Sequence, residues 1–283
     1  MILALLLAAA ALVAVLPAGL AHDAAPVIVD TDMALDDARA LALLLASPSV
    51  KVIAIVTSDG VSPPETGATN VCRLLRCLGH ARIPVGIGRT LEAAPPPWRI
   101  NATSANWTDL GDPAIPPGGF RDAISVIRSA LRAAPGRVRY LCLGPLTNLG
   151  DALKAEPELA RRIEAVMWYG TPPGTPKASW NADRDLDALK IVANAGLTVE
   201  ALQLLDDSVL VFDDDLLGRV EKMDSPAARA IAQTAGACTG RPPSIDIPQS
   251  PARPPPKWKR NSPTKAPPAI RPNRGAQMPA SSV

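Results

Sequence analysis

Along the first two-thirds of the chain, hydrophobic positions alternate between two rhythms. Val27-Ile28-Val29 is a continuous β-branched run, whereas over residues 36–46 apolar residues return at helical spacing until Ser47-Pro48 stops them. The pair then recurs. Residues 51–57 (KVIAIVT) predict a second strand, 65–78 a second helix and 83–87 a third strand. After an interval without periodicity, residues 121–133 predict a helix and 138–143 an apolar strand. The turn Gly144-Pro145-Leu146-Thr147-Asn148 then leads into a helix ending at Glu156. Strands over 165–169 and 198–202 follow, with 186–194 helical between them and a last helix over 226–235. This alternation predicts an α/β fold: an open, mostly parallel, Rossmann-like sheet with helices on both faces. Ligands of such sheets sit beyond the C-terminal ends of the strands.

Three stretches break the pattern. Residues 1–16 are apolar and uncharged, and Gly19 and Ala21 place small residues where a signal peptidase cuts. We therefore expect a signal peptide over residues 1–21 and a secreted or periplasmic protein, the alternative being an uncleaved membrane anchor. Residues 89–119 contain Pro95-Pro96-Pro97-Trp98 and Pro116-Pro117-Gly118-Gly119, and an aperiodic stretch this long in a compact domain predicts a functional lid or a disordered segment. Within it Trp98 and Trp107 are candidates for stacking on a flat ligand, with local packing as the alternative. From Thr239 onward proline makes up roughly a quarter of the residues and apolar periodicity stops, a composition of disorder. The expected organisation is thus a leader over 1–21, one α/β domain over 22–237, and a disordered, basic, Pro-rich tail over 238–283.

Charge narrows the function. Eight of the 29 basic residues and one of the 27 acidic residues lie from Thr239 onward, so the preceding part carries 21 basic against 26 acidic residues. A mildly acidic body lacks the clustered Lys and Arg of a nucleic-acid-binding surface, which points to a small-molecule site. Lys257-Trp258-Lys259-Arg260 in the tail reads as a solvated basic end. The four cysteines, Cys72, Cys77, Cys142 and Cys238, form no CxxC pair; after export three disulfide pairings are open to them, and they read as buried free thiols.

The chemistry is concentrated just after the first strand, where Asp30, Asp32, Asp36 and Asp37 put four carboxylates within eight residues. Helix capping accounts for Asp36 and Asp37. It does not account for all four, whereas a hard divalent cation such as Ca²⁺ wants this many oxygen donors.

Asp30-Thr31-Asp32-x-x-x-Asp36-Asp37 resembles the signature of the inosine-uridine-preferring nucleoside hydrolase family. Leu143-Gly144-Pro145-Leu146-Thr147-Asn148 is similar to that family's LGPLTN segment, and Trp180-Asn181-Ala182-Asp183-Arg184-Asp185 to its later E-F-N-x-x-x-D-P segment. The resemblance implies calcium-dependent cleavage of the N-glycosidic bond of ribonucleosides, through an oxocarbenium-like ribosyl transition state. It implies Asp32 as general base and Ca²⁺ ligand, Asp37 as a second ligand, and the backbone carbonyl of Thr147 as a third. Asp36, Asp59 and Asn181 would touch the ribose, and Asp30 would sit behind the ligands and orient them. The expected partner is a small ribonucleoside, with no nucleic acid and no membrane beyond the export signal; monomer and homo-oligomer both stay open.

Four departures stand out. Met33-Ala34 replaces the family's Pro-Gly, Ser179 stands in place of a ribose-binding Glu, and Asp59 in place of an Asn. The family's C-terminal His-Asp pair, which supplies a leaving-group acid and a further calcium ligand, has no counterpart; the only histidines are His22 and His80. A non-catalytic homologue that keeps calcium or sugar binding is therefore a second reading. A haloacid-dehalogenase-type phosphatase, with Asp30 as nucleophile and Asp32 as acid, is a third, although Ala34 occupies the position where that motif wants Thr or Val.

Overall fold

The computed structural model describes residues 24–103, 105, 107–172, 179–202, 213–239 and 271–272. The expected leader with His22, and the tail apart from residues 238–239 and 271–272, lie outside the described residues. Among the described residues no helix is long and apolar enough to cross a membrane.

In chain order the elements are β1 (Ala25–Thr31), α1 (Leu35–Ala46), β2 (Val50–Thr57), α2 (Pro64–Cys77), β3 (Val85–Ile87), α3 (Arg99–Thr103), β4 (Arg121–Asp122) and α4 (Ala123–Ala133). There follow β5 (Val138–Cys142), α5 (Thr147–Ala155), β6 (Ile163–Tyr169), α6 (Trp180–Arg184), α7 (Leu186–Asn194), β7 (Val199–Leu202), α8 (Asp214–Glu221), α9 (Pro226–Thr239) and the two-residue β8 (Arg271–Pro272). Every strand pair is parallel, and the sheet order is β4-β3-β2-β1-β5-β6-β7-β8.

Two layers of apolar side chains enclose the sheet, so its central strands are buried on both faces and read as unbroken apolar runs. Ile28, Val56, Tyr140 and Trp168 pack against Val126, Ile127 and Leu131 of α4, Leu149 and Leu153 of α5 and Leu189 of α7. On the other face, Val29 and Ile55 pack against Leu41 of α1, Val71 and Leu75 of α2 and Ile231 of α9. The helix after β1 thus lies on one face and the helix after β5 on the other, although β1 and β5 are neighbours. The chain order reverses here, which opens a crevice at the C-terminal ends of β1 and β5.

The interval over 89–119 is more regular than its sequence suggested. It contains α3 and a 3₁₀ turn, Trp107–Leu110. Trp107 is buried there and donates its indole N–H to the Ala102 carbonyl at 2.8 Å, so it serves local packing. Trp98 is half-buried and meets Trp180 edge-on, ring centroids 5.8 Å apart. Cys72, Cys77 and Cys142 are free thiols; Cys72 and Cys142 are buried and Cys77 half-buried.

Helices α5 and α7 approach closely because Gly150 has no side chain: a Cβ there would lie 2.7 Å from Ala188 Cβ and 2.8 Å from its Cα. Gly150→Val is expected to destabilise the domain by about 1–3 kcal/mol through overpacking, read as a lowered urea midpoint with unchanged slope.

Candidate active site at the β1–β5 crevice

Strand β1 ends with Asp30 and Thr31, and the chain then crosses the crevice before α1 begins at Leu35. Asp30 is wholly buried and faces across to β5 and α5. Its Oδ2 accepts from the Tyr140 hydroxyl at 2.8 Å and its Oδ1 from the Asn148 side-chain amide at 2.9 Å. The same Asn148 amide reaches the Thr57 carbonyl at 3.1 Å. Gly88 leaves the space for it, since a Cβ there would fall 2.2 Å from Asn148 Oδ1. Asp30 therefore joins β1 to β5 and α5 from behind the crevice.

Asp32 lies in the crevice itself, 4% exposed. Its Oδ2 accepts from the Val61 backbone N–H at 2.8 Å, and its carbonyl from the Ser62 N–H at 2.9 Å. Gly60 and Gly144 hold the backbone close around it: a Cβ on Gly60 would be 2.0 Å from Asp32 Oδ2, and one on Gly144 3.1 Å from Asp32 Cβ. The LGPLTN turn thus abuts Asp32 directly. Asp37, in the first turn of α1, accepts from the Thr31 hydroxyl at 2.5 Å, and that hydroxyl also accepts from Met33 N–H at 2.9 Å. Asp36 is exposed beside this pair.

Electrostatics mark the same place. Burial raises the Asp30 carboxyl to about 7, against the hydrogen bonds from Tyr140 and Asn148. Burial likewise raises Asp32 to about 6, with the Asp36 charge adding to the rise and the Val61 N–H opposing it. Asp37 is pushed well above the ordinary carboxylate range by burial and then by the charges of Asp32 and Asp36. No ion pair among the described residues involves any of the three. Nor do the described residues gather three or more His, Cys, Asp or Glu side chains into a metal cage. Two buried oxygen donors without a basic partner suit a hard divalent cation completed by a backbone carbonyl or water.

The remaining expected residues frame the crevice. Thr147 opens α5 and donates its hydroxyl to Asp185 Oδ2 at 2.9 Å. Asn181 in α6 spends its amide N–H groups on the Leu143 and Tyr169 carbonyls, both at 2.9 Å, at the ends of β5 and β6. Ser179 caps α6, accepting from the Ala182 N–H. Asp59 is at the end of β2 but is 1% exposed and internally engaged: its Oδ1 meets Arg99 and Arg184, and its Oδ2 accepts from Leu91 N–H at 2.7 Å. Sequence reasoning assigned no role to Tyr140, Asn148, Arg99 or Arg184. Asn148 and Arg184 stand within the quoted motifs, and Tyr140 carries a polar tip at a buried position of its strand. Nothing singled out Arg99.

The model of the inosine-uridine preferring nucleoside hydrolase family matches residues 27–240, which takes in every element that builds the crevice. The chain belongs to this family. A pyrimidine-specific ribonucleoside hydrolase, RihA, of Shewanella sp. (strain MR-4) is 30% identical over 217 residues, covering 74% of this chain and 68% of the relative. RihA of Citrobacter koseri is 35% identical over 187 residues, covering 62% and 59%. Among solved structures, the inosine-uridine preferring nucleoside hydrolase from Bacillus anthracis superposes with a TM-score of 0.67 at 20% identity, over 75% of this chain and 76% of that one. Membership makes this nucleoside hydrolase an N-glycosidase scaffold and removes the phosphatase alternative. The two relatives also extend well beyond what this nucleoside hydrolase shares with them.

The raised carboxyls set the pH response of the metal-free protein. Between roughly pH 4 and 7 the folded state holds protons that the unfolded chain has released, so stability falls as pH rises through that window. Melting in chelator is expected to be highest near the acid end and to decline toward neutrality. Asp30→Asn should flatten the decline, and an upward trend with pH would contradict the burial of these groups.

Proposed function

We propose that this nucleoside hydrolase cleaves the N-glycosidic bond of ribonucleosides in a calcium-dependent reaction that runs slowly. The observation that carries the reading is the pair Asp32 and Asp37, both buried at the chain reversal, Asp32 against Gly144 of the LGPLTN turn, with no basic partner among the described residues. Asp32, Asp37 and the Thr147 carbonyl would hold Ca²⁺. When bound, the ion lowers the pKa of a water molecule and fixes its position. Asp32 is held by the Val61 and Ser62 N–H groups in one orientation, and from there takes the proton of the attacking water. Asp36, exposed at the mouth, accepts from ribose hydroxyls. Asn181 has both amide N–H groups committed to the scaffold, so its amide oxygen is what it offers the sugar.

Among the described residues the attacking half of the reaction is thus furnished and the departing half is not. His80, the one histidine among the described residues, is half-buried after the end of α2, away from the crevice-lining turns. Without a positioned acid the base departs unassisted, a loss of roughly 10²- to 10⁴-fold. A non-catalytic homologue that retains cation or sugar binding is the second reading, favoured by this same one-sidedness.

Ribose release from uridine, cytidine and inosine in millimolar calcium is expected well below the ~10 per second common among enzymes, and absent in Asp32→Asn. Release that persists in Asp32→Asn would remove Asp32 as base, and no release from any nucleoside would leave the binding homologue.

Asp37→Ala is expected to abolish the rise in melting temperature that calcium gives the parent. A parent protein indifferent to both calcium and chelator would overturn the metal assignment.

A further inference from the structure

The resemblance puts an asparagine where this chain has Asp59, and the structure surrounds that extra charge with two arginines. Arg99, from α3, meets Asp59 Oδ1 and also donates from Nε to the Gly60 carbonyl at 3.0 Å and from its terminal nitrogen at 2.5 Å. Arg184, from α6, has a side chain only 3% exposed. One terminal nitrogen lies 3.2 Å from Asp59 Oδ1, an ion pair without hydrogen-bond geometry. Its other terminal nitrogen donates to the Ala93 and Ala94 carbonyls at 2.9 and 2.7 Å, and its Nε to the Asp59 carbonyl at 3.3 Å. The Leu91 N–H closes on Asp59 Oδ2 at 2.7 Å.

Apart from Arg184, these partners come from two parts of the chain. Leu91, Ala93, Ala94 and Arg99 belong to the Pro-rich interval over 89–119. Asp59 and Gly60 belong to the turn whose next two N–H groups, of Val61 and Ser62, hold the carboxylate and carbonyl of Asp32. Gly60 itself is pressed against Asp32, with no room for a Cβ. A guanidinium gripping the Gly60 carbonyl therefore restrains the very peptide whose N–H, that of Val61, donates to Asp32. With both its oxygens taken, the Asp59 carboxylate is committed to this cluster.

We propose that Asp59, Arg99 and Arg184 form a latch that holds residues 91–99 down on the turn over 58–62, and that Asp59 and Arg99 are thereby positioning residues for Asp32. The latch itself stands independently of the hydrolase reading; its effect on chemistry at Asp32 rests on that reading. Breaking a buried pair by removing one partner leaves an uncompensated charge, so each member depends on the others.

The test is amide hydrogen exchange on the full chain, together with calcium titration. In Asp59→Asn and in Arg99→Gln, the described amides of 91–99 and those of Val61 and Ser62 are expected to exchange roughly tenfold faster or more, with the rest of the sheet unchanged. The calcium midpoint should rise by about tenfold. Arg99→Lys, which keeps the charge but not the planar fork, should restore part of the protection. Asp187→Asn, which breaks an exposed pair with Lys190, should do nothing. Unchanged exchange at Val61 and Ser62, or an increase spread evenly over the whole chain, would overturn the proposal. So would a variant Asp59→Asn whose only defect is a raised KM for uridine, because Asp59 would then be a sugar ligand. If the parent releases no ribose at all, the hydrolase reading fails while the exchange pattern still decides for or against the latch.

Discussion

Carboxylates gathered at the end of a buried strand repel one another and lose their hydration together. Asp30, Asp32 and Asp37 are all nearly inaccessible to water, and burial is the largest influence on each of them. Such an arrangement is tolerated only if every oxygen finds a donor, a proton or a cation. The packing around the crevice can be understood as three separate answers to that demand.

For Asp30 the answer is protein alone: a tyrosine hydroxyl and an asparagine amide, arriving from β5 and α5, turn a costly charge into a brace between neighbouring elements. Asp37 shares the Thr31 hydroxyl, which in turn orders the Met33 N–H. Asp32 has the Val61 N–H on its carboxylate and Asp37 as its buried acidic neighbour, and it is this pair of carboxylates without a basic partner among the described residues that suits a hard cation. The arginine cluster at Asp59 adds a second influence. Two guanidinium groups share one carboxylate there, so a surplus positive charge sits beside the acidic group without meeting it. Acidic and basic clusters are held apart by the turn over 58–62, which belongs to both.

Much of this was legible in the sequence. Alternating strand and helix rhythms gave the parallel sheet, because strands buried on both faces must be continuously apolar and their crossover helices amphipathic. The chain reversal between β1 and β5 was not legible, since strand order depends on which neighbours pair and not on the period of either. Four acids after the first strand pointed to the crevice because like charges do not accumulate without a purpose. Asp59 shows what such reasoning leaves out. Its type and position suited a sugar contact, but its partners Arg99 and Arg184 lie 40 and 125 residues away, and only the fold brings them to it. The Pro-rich interval was legible as a long aperiodic segment, whereas its contacts with Asp59 were invisible because a single arginine in such a stretch has no pattern to break.

The backbone at Met33 adopts φ of 51°, the only positive value on a non-glycine residue among those described. Its side chain is wholly buried in the apolar layer with α1 and α2, and its carbonyl accepts from the Ser62 hydroxyl at 3.0 Å. A proline, the residue the resemblance puts at this position, is fixed near φ of −65° and cannot take that path. Met33→Pro would therefore have to rebuild this turn, and the apolar layer beneath it would lose the Met33 side chain at the same time.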